Sequence, residues 1–519
     1  MFEVYSNSNF FILKPKESLN INELSFLKDN KFKYITNLGY IKPIYEFNVF
    51  SELKSKGIEY LESQFETVNY EEIKNLYERF IEHNKKYMLK EYQIEGTQFL
   101  VNHFFSYLGD SLGLGKTLQV IMACKYFYEK DPNNKFLFIV TKSKIKDFEK
   151  EIETAMFDHE NYKDNFIVTN YQQFITKNSE KLISNEYKII ICDEATNLRN
   201  PTKFRRGIMK LKSERFILIS GTAIEKHPID LFYQINTFTN YFDYNYFMRT
   251  FVNYYKVFNH IQISGFKNLE KLRELVMPFY ISRKKEDLEE VDFPNVETMY
   301  EYSKVSEEQL KKINDLLIIT NDLNNVDYAV AIDLFVKIRL ILNETEYNKF
   351  NDLEKIVDSY KDEKIVIFTS YKITAESIYE KLKTNRKLFL ITGETTKRKE
   401  IIDEFEKTKN GILISTDVLA FGISLPNTKI IINYDVPLIA SHLTQRIGRL
   451  SRLTSNNTSI KNYILLTDSK FDRHILKIVL TKIKYNEKIF DNKENIGLSK
   501  EEIVDLLKNY KWNIFCLRL

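Results

Sequence analysis

The sequence turns on Asp110-Ser-Leu-Gly-Leu-Gly-Lys-Thr117. An apolar run, Phe104 to Leu108, leads into it, and a helical pattern, Leu118 to Tyr128, leaves it. Strand, glycine-rich turn, Lys-Thr and helix is the order a phosphate-binding loop needs, because backbone N–H groups of the turn and of the helix N-terminus then face the anion. Gly113 and Gly115 let the backbone come close, Lys116 can reach the β/γ-phosphates of ATP, and the Thr117 hydroxyl can bind Mg²⁺. The strict pattern wants glycine at position 110, where this chain has Asp. Taken alone the stretch is also compatible with a plain turn, so its surroundings have to decide.

From Leu89 onward, short apolar runs alternate with helical stretches, which predicts a parallel sheet wrapped by helices. The runs are Phe104–Leu108, Phe136–Val140, Phe166–Thr169, Ile189–Cys192 and Phe216–Ser220, each ending in polar or small residues where such folds place their ligands. Ile189–Cys192 runs into Asp193-Glu194-Ala195-Thr196, 77 residues beyond Lys116. Adjacent carboxylates at a buried strand end suit nucleotide hydrolysis: Asp193 can hold Mg²⁺, usually through water, and Glu194 can polarise the attacking water. Ser220-Gly-Thr222 closes the next strand and is read either as a coupling element between nucleotide site and substrate groove or as a plain turn.

Residues 241–345 are expected to be mostly helical. A second alternating series follows: Ile365–Phe368, Leu388–Ile391, Ile412–Ser415, Ile430–Tyr434 and Tyr463–Leu466. Two parallel-sheet lobes of similar size imply a duplicated motor core. The second ends its signals with Gln445-Arg-Ile-Gly-Arg-Leu-Ser-Arg452, which sets Arg449 and Arg452 three apart, on one face if this stretch is a helix. Arginines from a second lobe can neutralise charge building on the γ-phosphate in the transition state. Gly497-Leu-Ser-Lys-Glu-Glu502 holds a capping-box pattern, Ser499 with Glu502, that would open a final helix. Ahead of the phosphate loop, residues 1–85 read as a small α+β unit, with a hairpin turn at Ser6–Asn9, helical patterns at Ile21–Leu27, Phe50–Leu61 and Tyr70–His83, and a strand-like Tyr34–Tyr45. It carries no catalytic constellation, so a positioning module and a mere folding cap stay equally open.

Composition bounds the partners. At 519 residues there is room for about three domains. The net charge is only +4, so a nucleic-acid surface has to be a local patch rather than a global field. Cys124, Cys192 and Cys516 form no paired spacing and the seven histidines are scattered, which indicates neither a disulfide framework nor a zinc site. The N-terminus lacks a secretory pattern and no apolar run approaches a membrane span, so the expected location is the cytoplasm, with no membrane partner.

With these motifs in order, the chain resembles a superfamily 2 helicase-type ATPase, most similar to the Swi/Snf-like branch, over about residues 87–485. Leu89–Gly96 resembles the adenine-reading segment of that family, with Gln93 as the base contact. Asp110–Thr117 matches the family's Asp-Glu-Met-Gly-Leu-Gly-Lys-Thr form of motif I, which accounts for the missing first glycine. Asp193–Thr196 corresponds to motif II, Ser220-Gly-Thr222 to motif III, and Ser282-Arg-Lys-Lys285 resembles the Arg-Arg-x-Lys segment before lobe two. Val366–Ser370 is similar to motif IV, Thr416-Asp417 through Gly422 to motif V, and Gln445–Arg452 to motif VI. Asn433-Tyr-Asp-Val-Pro437 followed by Gln-Arg-Ile-Gly-Arg resembles the bacterial RNA-polymerase-associated ATPase of the branch. Three departures stand out: Thr196 where the family usually has His, Ser111 for Glu, and Ala223 for Pro.

The resemblance implies an α/β fold of two tandem RecA-like parallel-sheet lobes with a small N-terminal α+β accessory domain. The corresponding segments are 1–85 (accessory), 86–240 (lobe 1), 241–345 (extension and linker), 346–485 (lobe 2) and 486–519 (helical tail). It implies catalysis by Lys116, Asp193, Glu194, Arg449 and Arg452. ATP would be bound by Gln93, Gly113, Gly115, Lys116, Thr117, Gly422 and Gln445, and Mg²⁺ by Thr117 and Asp193. Nucleic-acid phosphate contacts are expected near Lys142, Ser143, Thr169, Thr369, Gly393 and Thr416, with coupling through Ser220 and Thr222. Arg199, Lys203, Arg205 and Arg206 form a basic cluster that either lines the path or is a solvated face. The expected activity is ATP-dependent translocation on duplex or branched DNA in a bacterial cytoplasm or a phage- or virus-infected host, a layout similar to phage branch-migration helicases. Alternatives are displacement of RNA polymerase or another DNA-bound protein, an RNA helicase, and a nucleotide-switched binding subunit of a larger complex.

Overall fold

The computed structural model describes residues 1–480 except 7–9, 36–38, 44–48, 64–66, 86, 177–178, 222, 224–227, 258–259, 285–287, 289–293, 320–327, 421–424, 451–456 and 478. Thr222, Lys285, Gly422 and Arg452 therefore lie outside the described residues, as do the turn at 7–9 and the tail with Ser499, Glu502 and Cys516. The chain forms two compact units, Met1–Glu290 and Val291–Leu519.

Five strands open the first unit: β1 (Phe2–Ser6), β2 (Phe10–Pro15), β3 (Lys33–Ile35), β4 (Gly39–Pro43) and β5 (Tyr60–Ser63). They lie in the order β3-β4-β2-β1-β5, antiparallel except for β1 beside β5. Alternation gives this sheet two jobs. Phe11 and Leu13 enter its own core with Phe2, Phe26 and Leu53. Phe10 faces the other way, its ring 4.8 Å from Phe104 and 5.0 Å from Tyr241. The accessory sheet is thus docked on the lobe that follows. The helical pattern read over Phe50–Leu61 is interrupted: the helix ends at Ser55, Gly57 turns the chain at φ +64°, and β5 returns beside β1. Within the stretch read as one strand, Tyr34–Tyr45, the described residues form two, β3 and β4, paired antiparallel.

The lobe itself has β6 (Phe105–Leu108), β7 (Phe136–Val140), β8 (Phe166–Asn170), β9 (Glu186–Asp193) and β10 (Lys212–Ile219). A hairpin, β11 (Val252–Val257) with β12 (His260–Phe266), follows, and β13 (Tyr280–Ile281) comes back to the sheet. The order is β13-β6-β10-β9-β7-β8 with every pairing parallel. Continuous apolar runs such as Phe136-Leu-Phe-Ile-Val140 belong here because helices cover both faces, and all five residues are buried.

The second unit repeats the plan with β14 (Asn295–Ser303), β15 (Ile365–Thr369), β16 (Leu388–Ile391), β17 (Ile412–Thr416), β18 (Ile430–Asn433) and β19 (Ser459–Thr467). The order is β14-β19-β18-β15-β17-β16, again wholly parallel. Residues 241–345 are therefore less helical than their pattern predicts: they contribute the β11–β12 hairpin, β13 and β14 besides helices Glu307–Ile319 and Tyr328–Leu342. Two tandem RecA-like sheets with a small α+β domain in front is the architecture expected.

Candidate active site

The phosphate loop leaves β6 under tight control. Gly109 N–H donates to Ile281 O (2.7 Å) and Ser111 N–H to Arg283 O (2.9 Å), so the segment after β13 runs alongside the loop's entry. Asp110, the residue that breaks the strict glycine pattern, is fully buried. Arg283 meets it bidentately, Nε to Oδ1 at 3.0 Å and Nη2 to Oδ2 at 2.9 Å, and its own backbone N–H adds a third bond of 3.0 Å. Gln119 Nε2 supplies a fourth at 3.0 Å. A glycine could accept none of these. The carboxylate anchors the loop to residues later in the chain, a bidentate geometry suited to arginine alone.

Gly115 caps the following helix, Lys116–Lys130, in the left-handed region at φ +72°. A Cβ there would lie 2.4 Å from Gln93 Nε2. Gln93, expected to read the adenine base, is buried and donates to Leu114 O at 3.1 Å, as does the Tyr92 hydroxyl at 3.1 Å. In this structure Gln93 braces the loop's backbone.

Lys116 Nζ folds back onto the loop and donates to Asp110 O (2.5 Å) and Ser111 O (3.0 Å). Gly221 of Ser220-Gly-Thr222 is packed against it: a Cβ at Gly221 would lie 3.6 Å from Nζ. Desolvation pushes the Lys116 ammonium down to about 8, against the pull of Asp110 and Glu194. An anion bound in the loop restores the charged form, so binding takes up a proton once the pH exceeds that value. A non-hydrolysable ATP analogue is therefore expected to bind with uptake of roughly 0.7 proton at pH 8.5, weakening by up to about tenfold per further pH unit. Calorimetry in buffers of different ionisation enthalpy reads this directly, and Lys116→Arg should abolish it. No uptake at pH 8.5 would mean that Lys116 is fully charged before the nucleotide arrives.

Asp193 ends β9, neighbour to both β10 and β7, and Glu194 follows it. Tyr171 OH donates to Asp193 O at 2.6 Å, and Asn197 closes a turn with its N–H and Nδ2 on Glu194 O, both at 2.9 Å. Glu194 sits at φ +51°, ψ +57°, a left-handed conformation uncommon for a residue with a Cβ. A cation bridges the two carboxylates: Lys144 Nζ lies 2.7 Å from Asp193 Oδ2 and 2.9 Å from Glu194 Oε1. Burial alone would lower the Lys144 pKa, but the two carboxylates outweigh it and raise it above the ordinary lysine range. Burial pushes the Asp193 carboxyl up, Lys144 opposes this, and the Glu194 charge adds to it. The pair thus forms a cation site, and its oxygen donors beside the phosphate loop suit Mg²⁺. Thr117, the other expected metal ligand, stands in the first turn of the helix after the loop. Lys144 escaped the sequence reading because it lies in the lysine-rich run Lys142–Lys146, where only the fold distinguishes it from its solvated neighbours.

Ser220 is buried at the end of β10, and Thr196 is buried in the turn after Glu194. The expected nucleic-acid residues of this unit divide. Lys142 and Ser143 are exposed just beyond β7, whereas Thr169 is mostly buried at the end of β8.

In the second unit the motifs converge on Arg446, a fully buried arginine the sequence reading passed over for Arg449. Its Nε donates to Asp417 Oδ1 at 2.7 Å, and its Nη1 donates to Asn433 Oδ1 at 3.1 Å and Asp435 O at 3.0 Å. Asp435 in turn accepts from Thr369 Oγ1 (2.5 Å) and Ser370 Oγ (2.6 Å). Burial would raise the Asp417 carboxyl, but Arg446 and His442 hold it below its ordinary value. The Thr369 hydroxyl is therefore committed to Asp435, and Thr416 is buried, its Oγ1 without a hydrogen-bond partner. Gly393 faces open space, with nothing within 4 Å of an added Cβ. Arg449 and Gln445 are buried, and Gln445 Oε1 is unpartnered.

Among the described residues no helix is long and apolar enough to cross a membrane. The chain matches the SNF2-related domain over residues 92–346 and the helicase conserved C-terminal domain over 348–454. It is 31% identical over 170 residues to the pre-mRNA-splicing ATP-dependent RNA helicase PRP28 of Saccharomyces cerevisiae, covering 31% of this chain and 29% of that protein. It is 23% identical over 436 residues to the ATP-dependent helicase YqhH of Bacillus subtilis, covering 75% of this chain and 77% of that protein. Of several other curated relatives the chain spans less than half the length. The solved Sulfolobus solfataricus SWI2/SNF2 ATPase core in complex with dsDNA aligns at TM-score 0.36 and 22% identity, over 81% of this chain and 97% of that one. Phosphate loop, carboxylate pair and both domain matches lead to one assignment: the chain is an ATP hydrolase that belongs to the Swi/Snf-like branch of the superfamily 2 helicase-type ATPases.

Proposed function

We propose that this chain is an ATP-dependent translocase that works on duplex or branched DNA and grips the strand backbone without regard to sequence. The observation that carries the reading is the siting of candidate phosphate contacts at the C-terminal ends of neighbouring parallel strands. Lys142–Ser143 lie just beyond β7 and Gly393 just beyond β16, while Thr169, Thr369 and Thr416 stand in the last residues of β8, β15 and β17. Lysine, hydroxyls and backbone N–H groups recognise phosphate rather than bases. In the nucleotide site, Lys116 and the loop N–H groups hold the phosphates and Glu194 orients the attacking water. By the resemblance, Arg449 and Arg452 are the candidates for neutralising developing charge. Bound Mg²⁺ would supply Lewis-acid polarisation of the phosphate oxygens, held by Thr117 and Asp193.

A second reading, a motor directed at RNA, is favoured by the 31% identity with an RNA helicase. Steady-state ATP hydrolysis by the chain, alone and with single-stranded, duplex or forked DNA or with RNA, separates the two, with Lys116→Ala as the blank. The expected result is a low basal rate raised several-fold, most by duplex or forked DNA. Greatest stimulation by RNA would transfer the assignment to the second reading. Equal rates with and without nucleic acid would overturn both.

A further inference from the structure

The loop that leaves β7 carries two kinds of lysine. Lys142 is exposed beside Ser143, while the Lys144 side chain is only 17% exposed and spends its ammonium on Asp193 and Glu194. Its N–O distances of 2.7 and 2.9 Å are those of charge-assisted hydrogen bonds. A divalent ion drawn to the same two carboxylates would need the same oxygens, either directly or through water. It would arrive against a fixed positive charge, and Lys116 adds a second one nearby. While Lys144 stays in place, Glu194 is also engaged as an acceptor and is not free to polarise water. Lys142, Ser143 and Lys144 form one short 3-10 turn, so the exposed and the engaged lysine share the same three residues of backbone.

We propose that Lys144 is an internal counter-cation that competes with divalent metal for Asp193 and Glu194, and that nucleic acid engaging Lys142 and Ser143 withdraws it. Its second half rests on the reading of Lys142–Ser143 as a nucleic-acid contact given above. Lys144 is then a positioning residue. It touches neither phosphate nor water, but it sets when the carboxylate pair becomes available. Stimulation by nucleic acid would follow from relief of this pairing, without any new catalytic group.

Mn²⁺ binding to the full chain in the absence of nucleotide, followed by electron paramagnetic resonance, tests this without reference to activity. Lys144→Met should bind Mn²⁺ about tenfold more tightly than the parent, within the usual range of coupling between sites. Lys144→Arg, which keeps the charge, should behave like the parent, and Asp193→Asn should lose binding. Saturating duplex DNA should move the parent toward the Lys144→Met value and leave that variant where it is. Unchanged or weaker Mn²⁺ binding by a folded Lys144→Met protein would overturn the competition. A parent whose Mn²⁺ affinity ignores DNA that anisotropy shows to be bound would overturn the coupling. Failure of DNA to bind at all would instead count against the translocase reading, and the comparison of Lys144→Met with Lys144→Arg would still judge the competition.

Discussion

Glu194→Gln is expected to lower kcat for ATP hydrolysis about 10³-fold, in the middle of the range for loss of a general base, with nucleotide affinity changed by less than about twofold. The asymmetry follows from what each group touches. On the proposed reading the phosphates are held by Lys116 and the loop, and Gln keeps the size of Glu194 and one acceptor oxygen, so the ground state survives. The carboxylate that would orient and polarise water does not. The backbone supports the assignment independently. Glu194 is held at φ +51° by the Asn197 turn and by Tyr171 on the preceding carbonyl. A conformation of this kind costs on the order of 1–3 kcal/mol and persists where its surroundings enforce it, commonly at functional sites. Steady-state hydrolysis combined with equilibrium binding of a fluorescent ATP analogue separates the two effects. More than a tenth of the parent rate in the Gln variant would assign the water to a different residue.

How much of this site was legible in the sequence depended on the range of the interactions involved. Phe136–Val140 is read to the residue because a strand buried on both faces announces itself as a continuous apolar run, and Leu388–Ile391, an edge strand with alternate residues only half-buried, is equally apolar and is read as well. β14, Asn295-Val-Glu-Thr-Met-Tyr-Glu-Tyr-Ser303, gives no such signal: most of its residues are exposed or half-buried, and its pairing with β19 holds it in the sheet. The β11–β12 hairpin is rich in Val, Tyr and Ile and sits in a stretch read as helical, where its strand composition was outweighed by its surroundings. The chemistry divides in the same way. Lys116, Asp193 and Glu194 stand in local motifs and are recognised from spacing alone. The partners that fix them come from elsewhere. Lys144 reaches the carboxylate pair from 49 and 50 residues away, and Arg283 reaches Asp110 from 173. Arg446 stood inside a recognised motif, yet nothing local shows that its guanidinium turns inward to Asp417 while Asn433 and Asp435 close around it. Gln93, which the resemblance assigns to the base, also braces the loop through Leu114 O, 21 residues on, a partner its local motif does not announce.

Arg283→Met should destabilise the first unit by about 3–5 kcal/mol, the cost of leaving a buried carboxylate without its partner. Asp110 is wholly buried and three of its bonds come from Arg283, two from the guanidinium and one from the backbone. Methionine removes both guanidinium bonds and leaves Gln119 and the backbone N–H to carry the charge. The same guanidinium donates to Gln119 Oε1 at 3.0 Å and to Tyr92 O, so the helix that begins at Glu91 loses one of its ties to this region as well and keeps those of Tyr92 and Gln93 to Leu114 O. A chain of two compact units need not unfold in one step. The expected signature is therefore a split thermal transition, in which the component from residues 1–290 moves down by several degrees and the other stays. Nucleotide affinity should fall with it, because Asp110 O and Ser111 O, which hold Lys116, belong to the loosened loop. The double variant Asp110→Leu/Arg283→Met decides whether charge or packing is responsible. Removing both partners of a buried pair is often nearly neutral, whereas removing one is not, so the double variant should recover much of the stability lost. A double variant no more stable than Arg283→Met would show that the arginine acts through its bonds to Tyr92 and Gln119, and that Asp110 only follows.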